Sequence, residues 1–280
     1  MQLAASDAPR FSGKVLVAED NLVNQEVAQA VLQNCGCDVQ LAANGREALL
    51  AIQNGAFDVI FMDCQMPEMD GYAATRAIRA LEEQGMMRHV PIVALTAHAT
   101  EADRQRCMEA GMDSFLTKPF TQVALHKELA RWLTNTNTNT NTKTGEVVTM
   151  GNDQQQSPGA ASEGLNQSAL DELRALDPDG SGGILNELIQ SYLADAPEQI
   201  GQLRAAIADK NIEAMSRAAH SMKSSSQTFG AMRVGELARE IESIGRANTI
   251  IGCDVLLAEL EQQYAKAAKL LQACMTAPAA

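Results

Sequence analysis

The stretch FDVIFMDCQMPEMDG occupies residues 57–71 and joins an apolar run to a polar turn. Residues 57–62 are apolar apart from one aspartate, which is typical of a strand that is covered on both faces of a parallel sheet. Asp63 stands where the run ends, and the proline and glycine after it indicate a turn. The stretch therefore predicts a buried strand with a carboxylate at its carboxyl end.

Four further strand-like runs surround this stretch, at residues 14–18, 39–42, 91–95 and 114–116. Helical patterns lie between them, such as the shared face of Val23, Val27 and Val31. This alternation predicts a doubly wound, flavodoxin-like α/β domain with a five-stranded parallel sheet. We place it at residues 12–133.

The chain then changes character. Residues 134–164 are polar and repetitive, which predicts a flexible linker. After it only helical patterns follow, and Ala196-Pro197 indicates a break between two of them. We expect an all-α helical bundle at 165–276, with four longer helices after shorter N-terminal ones. The predicted helices span residues 166–176, 182–195, 198–208, 211–228, 232–246 and 254–273.

Composition excludes several classes of function. The net charge is −13, and both halves are acidic, so neither offers the basic surface of a nucleic-acid-binding domain. No apolar run is long enough to span a membrane, and the N-terminus does not resemble a secretory signal. We therefore expect a cytoplasmic protein. The six scattered cysteines do not have the spacing of a zinc site and are expected to be free, buried thiols.

Polar residues stand at the carboxyl ends of the predicted strands, where open α/β sheets bind ligands. Glu19 and Asp20 follow the first strand, Asp63 the third, Thr96 the fourth and Lys118 the fifth. Three clustered carboxylates favour a hard cation such as Mg²⁺. A lysine and a hydroxyl beside them complete a site for a phosphoryl group.

Four motifs together resemble the response-regulator receiver family: AEDN at 18–21, MDCQMPEMDG at 62–71, LTAHA at 95–99 and KPF at 118–120. The resemblance implies that Asp63 is the phosphoacceptor. It also implies that Asp20, Asp63 and the backbone carbonyl of Gln65 hold Mg²⁺, with Glu19 contributing through water.

The same resemblance implies roles for three residues on the last two strands. Thr96 would bond a phosphoryl oxygen, Lys118 would pair with the phosphoryl group, and Phe115 would be the aromatic residue of the conformational switch. A cis peptide bond before Pro119 would aim Lys118 inward.

The second domain contains AAHSMKSSSQTFGA at residues 218–231. On a helix, His220, Lys223 and Gln227 share one face, and we expect His220 to project toward solvent. The stretch resembles the histidine-containing phosphotransfer (HPt) family, whose usual form is H-x-x-K-G-S-S, with Ser224 in place of the glycine. The resemblance makes His220 a second phosphoacceptor, supported by Lys223 and Gln227.

Both resemblances together predict a two-component phosphorelay protein. Asp63 and His220 would relay phosphoryl groups between an upstream sensor histidine kinase and a downstream response regulator. Alternatively, the chain is the C-terminal fragment of a hybrid histidine kinase. We do not expect an enzyme. A complete kinase needs a nucleotide-binding segment, and the sequence contains no glycine-rich ATP lid. A haloacid-dehalogenase-type phosphohydrolase needs D-x-D around its nucleophile, whereas residues 63–65 are Asp-Cys-Gln. The acidic pocket argues against a purely structural adaptor.

Overall fold

A computed structural model describes residues 11–96, 100–119, 121–133, 164–177 and 183–276. Nearly all of the predicted linker, residues 134–163, lies outside the described residues, as do His98 and Phe120.

The first domain is a five-stranded parallel sheet with the strand order β2-β1-β3-β4-β5 and helices between the strands. This confirms the predicted doubly wound fold, and the switch in strand order falls between β1 and β3. The elements are β1 Lys14–Ala18, α1 Leu22–Asn34, β2 Asp38–Ala42, α2 Gly45–Asn54, β3 Val59–Asp63, α3 Gly71–Glu83, β4 Ile92–Thr96, α4 Glu101–Ala110, β5 Ser114–Thr117 and α5 Gln122–Trp132.

Alternation along the central strands builds a core on each face of the sheet. In β3, Val59 and Phe61 join the cluster on one face, whereas Ile60 and Met62 join the cluster on the other. The carboxyl end of β3 is tightly packed, because a Cβ atom at Gly71 would lie 2.0 Å from the carbonyl oxygen of Asp63. Glycine at the start of α3 therefore permits the close approach that places this helix beside Asp63.

The second domain is helical throughout its described residues, and its packing is consistent with a helical bundle. No described helix has both the length and the apolar character needed to cross a membrane. A short helix precedes four longer ones: α6 Gln167–Arg174, α7 Gly183–Ala208, α8 Ile212–Thr228, α9 Met232–Arg246 and α10 Cys253–Thr276.

The predicted break at Ala196-Pro197 is wrong, because α7 continues through Pro197. A proline lacks the N–H that would otherwise donate to the carbonyl four residues earlier, here that of Leu193. In this structure the hydroxyl of Tyr264, on α10, donates to the Leu193 carbonyl at 3.3 Å. A neighbouring helix thus satisfies the acceptor that Pro197 leaves without its helical partner.

The two domains are in contact. Helix α1 of the sheet domain packs against α7 and α8, and buried side chains form one continuous apolar cluster across the boundary. This docking places the carboxyl edge of the sheet against α8, the helix that carries His220.

The substitution Tyr264→Phe tests the explanation for the unbroken helix. We expect it to lower the free energy of unfolding by about 1 kcal/mol, because the Leu193 carbonyl loses its donor. The measurement is urea unfolding of the full chain. In a Pro197→Ala background the new backbone N–H can donate to Leu193, so Tyr264→Phe should cost much less there. An equal cost in both backgrounds would contradict the explanation.

Candidate functional site

Three carboxylates meet where β1 and β3 end. Glu19, Asp20 and Asp63 each place one oxygen so that these atoms lie within 4.8 Å of one another. Glu19 and Asp63 are buried, while Asp20 is partly exposed. Hard carboxylate oxygens at this separation fit Mg²⁺, which takes oxygen ligands and keeps some of its waters.

Lys118 compensates this negative charge. Its ammonium group donates to Asp63 Oδ2 at 2.7 Å and also to Glu19 Oε2, and all three side chains are buried. The Lys118–Pro119 peptide bond is cis, as the resemblance predicted. Burial alone would lower the pKa of Lys118, but the two carboxylates raise it above its usual value, so the lysine remains charged.

The pKa values of the acidic residues reflect the same competition between burial and the charge of neighbouring groups. Burial raises the pKa of Asp63 to about 6, against the opposing charge of Lys118. Burial and the neighbouring charge of Glu19 likewise raise the pKa of Asp20 to about 6. Both carboxylates are therefore held at a cost in free energy that a divalent cation would relieve.

The other receiver-domain candidates lie around this centre. Thr96 ends β4 and is buried. Gln65 lies two residues after Asp63 and donates its backbone N–H to Asp63 Oδ1 at 3.1 Å. Phe115 lies on β5 among the apolar residues of one face, with the guanidinium of Arg104 5.5 Å from its ring centre.

His220 is buried, with 7% of its surface exposed, so the expectation that it projects toward solvent is wrong. Two features cover it: Glu242 from the neighbouring helix α9, and the docked sheet domain. Nδ1 of His220 lies 3.0 Å from Glu242 Oε1. Because a carboxylate can only accept, this contact assigns a proton to Nδ1, so that in the neutral imidazole Nε2 is the nitrogen with the lone pair. Nε2 is buried and has no hydrogen-bond partner among the described residues.

Glu242 also accepts hydrogen bonds from two further basic residues, one on α8 and one on α9. It accepts from Lys223 Nζ at 2.5 Å and from Arg246 at 2.7 Å. Burial alone would raise the pKa of Glu242, but the hydrogen bonds and charges of His220 and Lys223 hold it well below its usual value. Gln227 lies farther along α8, where its side chain packs against Gly235 of α9.

The sequence-based prediction missed Glu242. A usable signal was present, because this acidic residue falls among Ala238, Ile241 and Gly245 on the buried face of α9. A charged residue on an apolar face is rarely buried without a partner.

Two asparagines join the domains beside the carboxylates. Asn21 Nδ2 donates to Ser221 at 2.7 Å. Asn24 Nδ2 donates both to Glu19 Oε1 at 2.9 Å and to Ser224 at 3.1 Å. Ser224, which replaces the usual glycine, thus makes an interdomain contact. A cavity of about 500 Å³ also lies between the domains, and its lining includes Asp20, Gln65, His220 and Glu242.

This arrangement has the chemistry of phosphoryl transfer. The buried Asp63 carboxylate lies beside the Lys118 ammonium group, and His220 is near enough to influence the pKa of Asp63. His220 also lines one cavity together with Asp20 and Gln65, which flank this carboxylate. Either the carboxylate or the imidazole can be a nucleophile toward phosphorus, and positioning with charge compensation is the main requirement of such transfer. The fold and site therefore define a carboxylate–imidazole phosphotransfer unit.

Comparison with known proteins agrees with this class. A family model described as the response regulator receiver domain matches residues 15–130, and one described as the Hpt domain matches residues 187–270. Residues 15–130 belong to the response regulator receiver family and residues 187–270 to the Hpt family. Both domains are phosphotransfer modules of two-component phosphorelays.

Individual relatives include hybrid kinases. The chain is 29% identical over 245 residues to the sensor protein GacS of Pseudomonas syringae pv. syringae, covering 87% of this chain and 25% of GacS. It is 31% identical over 245 residues to the sensor histidine kinase GacS of Pseudomonas protegens, covering 86% of this chain and 24% of that protein. The chain thus spans a quarter or less of the length of these relatives.

Among solved structures, the receiver domain of sensor histidine kinase PA1611 from Pseudomonas aeruginosa is 45% identical. The match covers 43% of this chain and 97% of that domain, with a TM-score of 0.40.

Removing the Glu242 carboxylate tests its position at the centre of the α8–α9 contact. We expect Glu242→Ala to lower the free energy of unfolding by about 3 kcal/mol, because Lys223 remains buried without its counter-charge. The measurement is urea unfolding of the full chain. Glu240→Ala is the matched control, since Glu240 is exposed on the same helix and should change stability by no more than about 0.5 kcal/mol. Equal effects of the two substitutions would refute the assignment.

The same residue predicts a pH dependence. The pKa of Glu242 is lower in the folded than in the unfolded chain, so its stabilisation is complete above the unfolded value and is lost as pH falls through the folded one. The stability difference between the wild type and Glu242→Gln should therefore be constant above about pH 5 and shrink progressively below it. A difference that grows on acidification would contradict the direction of this shift.

Proposed function

We propose that this chain is a phosphorelay unit in which Asp63 and His220 exchange a phosphoryl group within one molecule. The observation that carries the proposal is the docking of α8 against the carboxyl edge of the sheet. The buried His220 lines one cavity with Asp20 of the acidic cluster. Asn24 bonds both Glu19 of that cluster and Ser224 on α8. We assign the receiver domain to residues 12–133 and the Hpt domain to residues 165–276, joined by residues 134–164.

The side chains have complementary roles in the exchange. In transfer from Asp63, the Nε2 lone pair of His220 attacks phosphorus, a P–N bond forms, and the P–O bond to the Asp63 carboxylate breaks. Glu242 holds the Nδ1 proton and so keeps the imidazole in the nucleophilic tautomer. Lys118 stabilises the carboxylate that leaves. Transfer from His220 to Asp63 is the reverse.

Mg²⁺ is the cation that fits the carboxylates. Asp20, Asp63 and the backbone carbonyl of Gln65 would hold it, with Glu19 contributing through water. When bound, it would supply positive charge for the phosphoryl oxygens. Glu19 already accepts from Lys118 and Asn24, which suits an indirect role better than direct ligation. Thr96 would bond a phosphoryl oxygen, and Phe115 would respond to phosphorylation as the switch aromatic residue. Lys223 and Gln227 would support His220.

The proposed partners are a sensor histidine kinase upstream and the receiver domain of a response regulator downstream, in the cytoplasm. The similarity to GacS over most of this chain favours a second possibility, that this relay unit forms part of a longer hybrid kinase. Both possibilities require the same exchange between Asp63 and His220.

Phosphorylation of Asp63 is tested in a chain that carries His220→Gln, so that the label remains on the receiver domain. Incubation with a small acyl phosphate and Mg²⁺ should give one base-labile phosphoryl group, and removal of divalent cations with a chelator should abolish it. Asp63→Asn in the same background should not be labelled. Asp38→Asn, an exposed aspartate on β2, should be labelled normally. Equal labelling of Asp63→Asn would refute the assignment.

Transfer within one chain is tested kinetically. After Asp63 is phosphorylated, acid-labile phospho-His220 should form at a rate that does not depend on protein concentration, because docking makes the step unimolecular. His220→Gln should abolish the acid-labile label. A rate that rises in proportion to concentration would show transfer between chains. Efficient rescue on mixing Asp63→Asn with His220→Gln at low concentration would show the same.

A further inference from the structure

Two cysteines of the receiver domain are in contact with each other next to the proposed phosphorylation site. Cys64 follows Asp63 at the end of β3, and Cys107 lies on α4. Their sulfur atoms are 3.8 Å apart, and only 3% and 1% of the two residues are exposed. A disulfide has an S–S distance of about 2.05 Å, so closure requires a movement of less than about 2 Å shared between two side chains.

The surroundings of this pair favour reaction at Cys107. The hydrogen bond with Cys64 lowers the pKa of Cys107 despite burial, and a hydrogen bond with Tyr72 acts in the same direction. Tyr72 is partly exposed, and the Arg106 guanidinium lies 5.0 Å from its ring centre. Burial instead raises the pKa of Cys35 and Cys37, which are the natural comparison within the same domain.

We propose that Cys64 and Cys107 are a redox modification site that forms a reversible disulfide on exposure to a peroxide. The Cys107 thiolate attacks one peroxide oxygen, an S–O bond forms, and the O–O bond breaks to release hydroxide or alkoxide. The Cys64 sulfur then attacks the sulfenic acid, an S–S bond forms, and water leaves with the Cys64 proton. The peroxide is reduced by two electrons, and the two thiols are oxidised by two.

The position of the pair gives the disulfide a consequence for phosphorylation. The Cys64 N–H donates to the Leu95 carbonyl at 3.1 Å, and the Gly71 N–H donates to the Cys64 carbonyl at 3.3 Å. The backbone of Cys64 thus helps to set the loop that begins at Asp63. Drawing Cys64 toward α4 would displace this loop. A displacement approaching 1 Å at a reacting group can slow a reaction by on the order of a hundredfold.

The test uses the full chain without phosphodonor or metal, so that it does not depend on the relay. The protein is treated with hydrogen peroxide, and its remaining thiols are alkylated before proteolysis and mass spectrometry. We expect a loss of about 2 Da, a peptide that links Cys64 to Cys107, and reversal by a thiol reductant. Cys64→Ser and Cys107→Ala should each abolish the crosslink, while Cys35 and Cys37 should remain alkylated in every sample.

Three outcomes would overturn the site: no linked peptide although circular dichroism shows a folded chain, oxidation of Cys64 and Cys107 only to separate sulfinic acids, or a crosslink through other cysteines. The regulatory consequence rests on the proposed function and has its own measurement, the rate of Asp63 labelling before and after oxidation. We expect slowing of tenfold or more that a reductant restores and that Cys107→Ala lacks. An unchanged rate with the disulfide present would overturn the regulation, while the modification site would stand.

Discussion

The structure depends on one electrostatic constraint, the neutralisation of carboxylates that the parallel sheet forces together. The ends of β1 and β3 are neighbours, so Asp20 and Asp63 meet wherever this topology forms. Lys118 follows β5, on the other side of β4, and neutralises part of this charge with two buried ion pairs. Buried charges without partners are costly, so these ion pairs allow the carboxylates to be buried at the edge of the sheet.

The Hpt domain also compensates buried charge, but with the opposite arrangement. Here a single buried carboxylate, Glu242, accepts from His220, Lys223 and Arg246. The receiver domain surrounds one lysine with acidic groups, whereas the Hpt domain surrounds one glutamate with basic groups. The two centres are thus opposite in charge arrangement, which makes them electrostatically complementary across the contact between the domains.

Docking connects these centres through polar contacts of modest strength. Asn24 donates both to Glu19 in the acidic cluster and to Ser224 on α8, so one side-chain amide links the two domains. Individual hydrogen bonds of this kind contribute about 1 kcal/mol, and they add to the apolar contact of α1 with α7 and α8.

Local sequence patterns were sufficient to predict the two fold classes, the alternation of strands and helices in the receiver domain, and the residues that gather at the strand ends. These follow from local periodicity and from the rule that parallel strands share a carboxyl edge. Other features depend on long-range packing. Pro197 stays within a helix because Tyr264 satisfies the Leu193 carbonyl, and His220 is buried because Glu242 and the receiver domain cover it. Each of these outcomes depends on a residue at least 22 positions away, and no local pattern encodes that partner. The contact of Cys64 with Cys107 arose in the same way, from the packing of α4 against the end of β3.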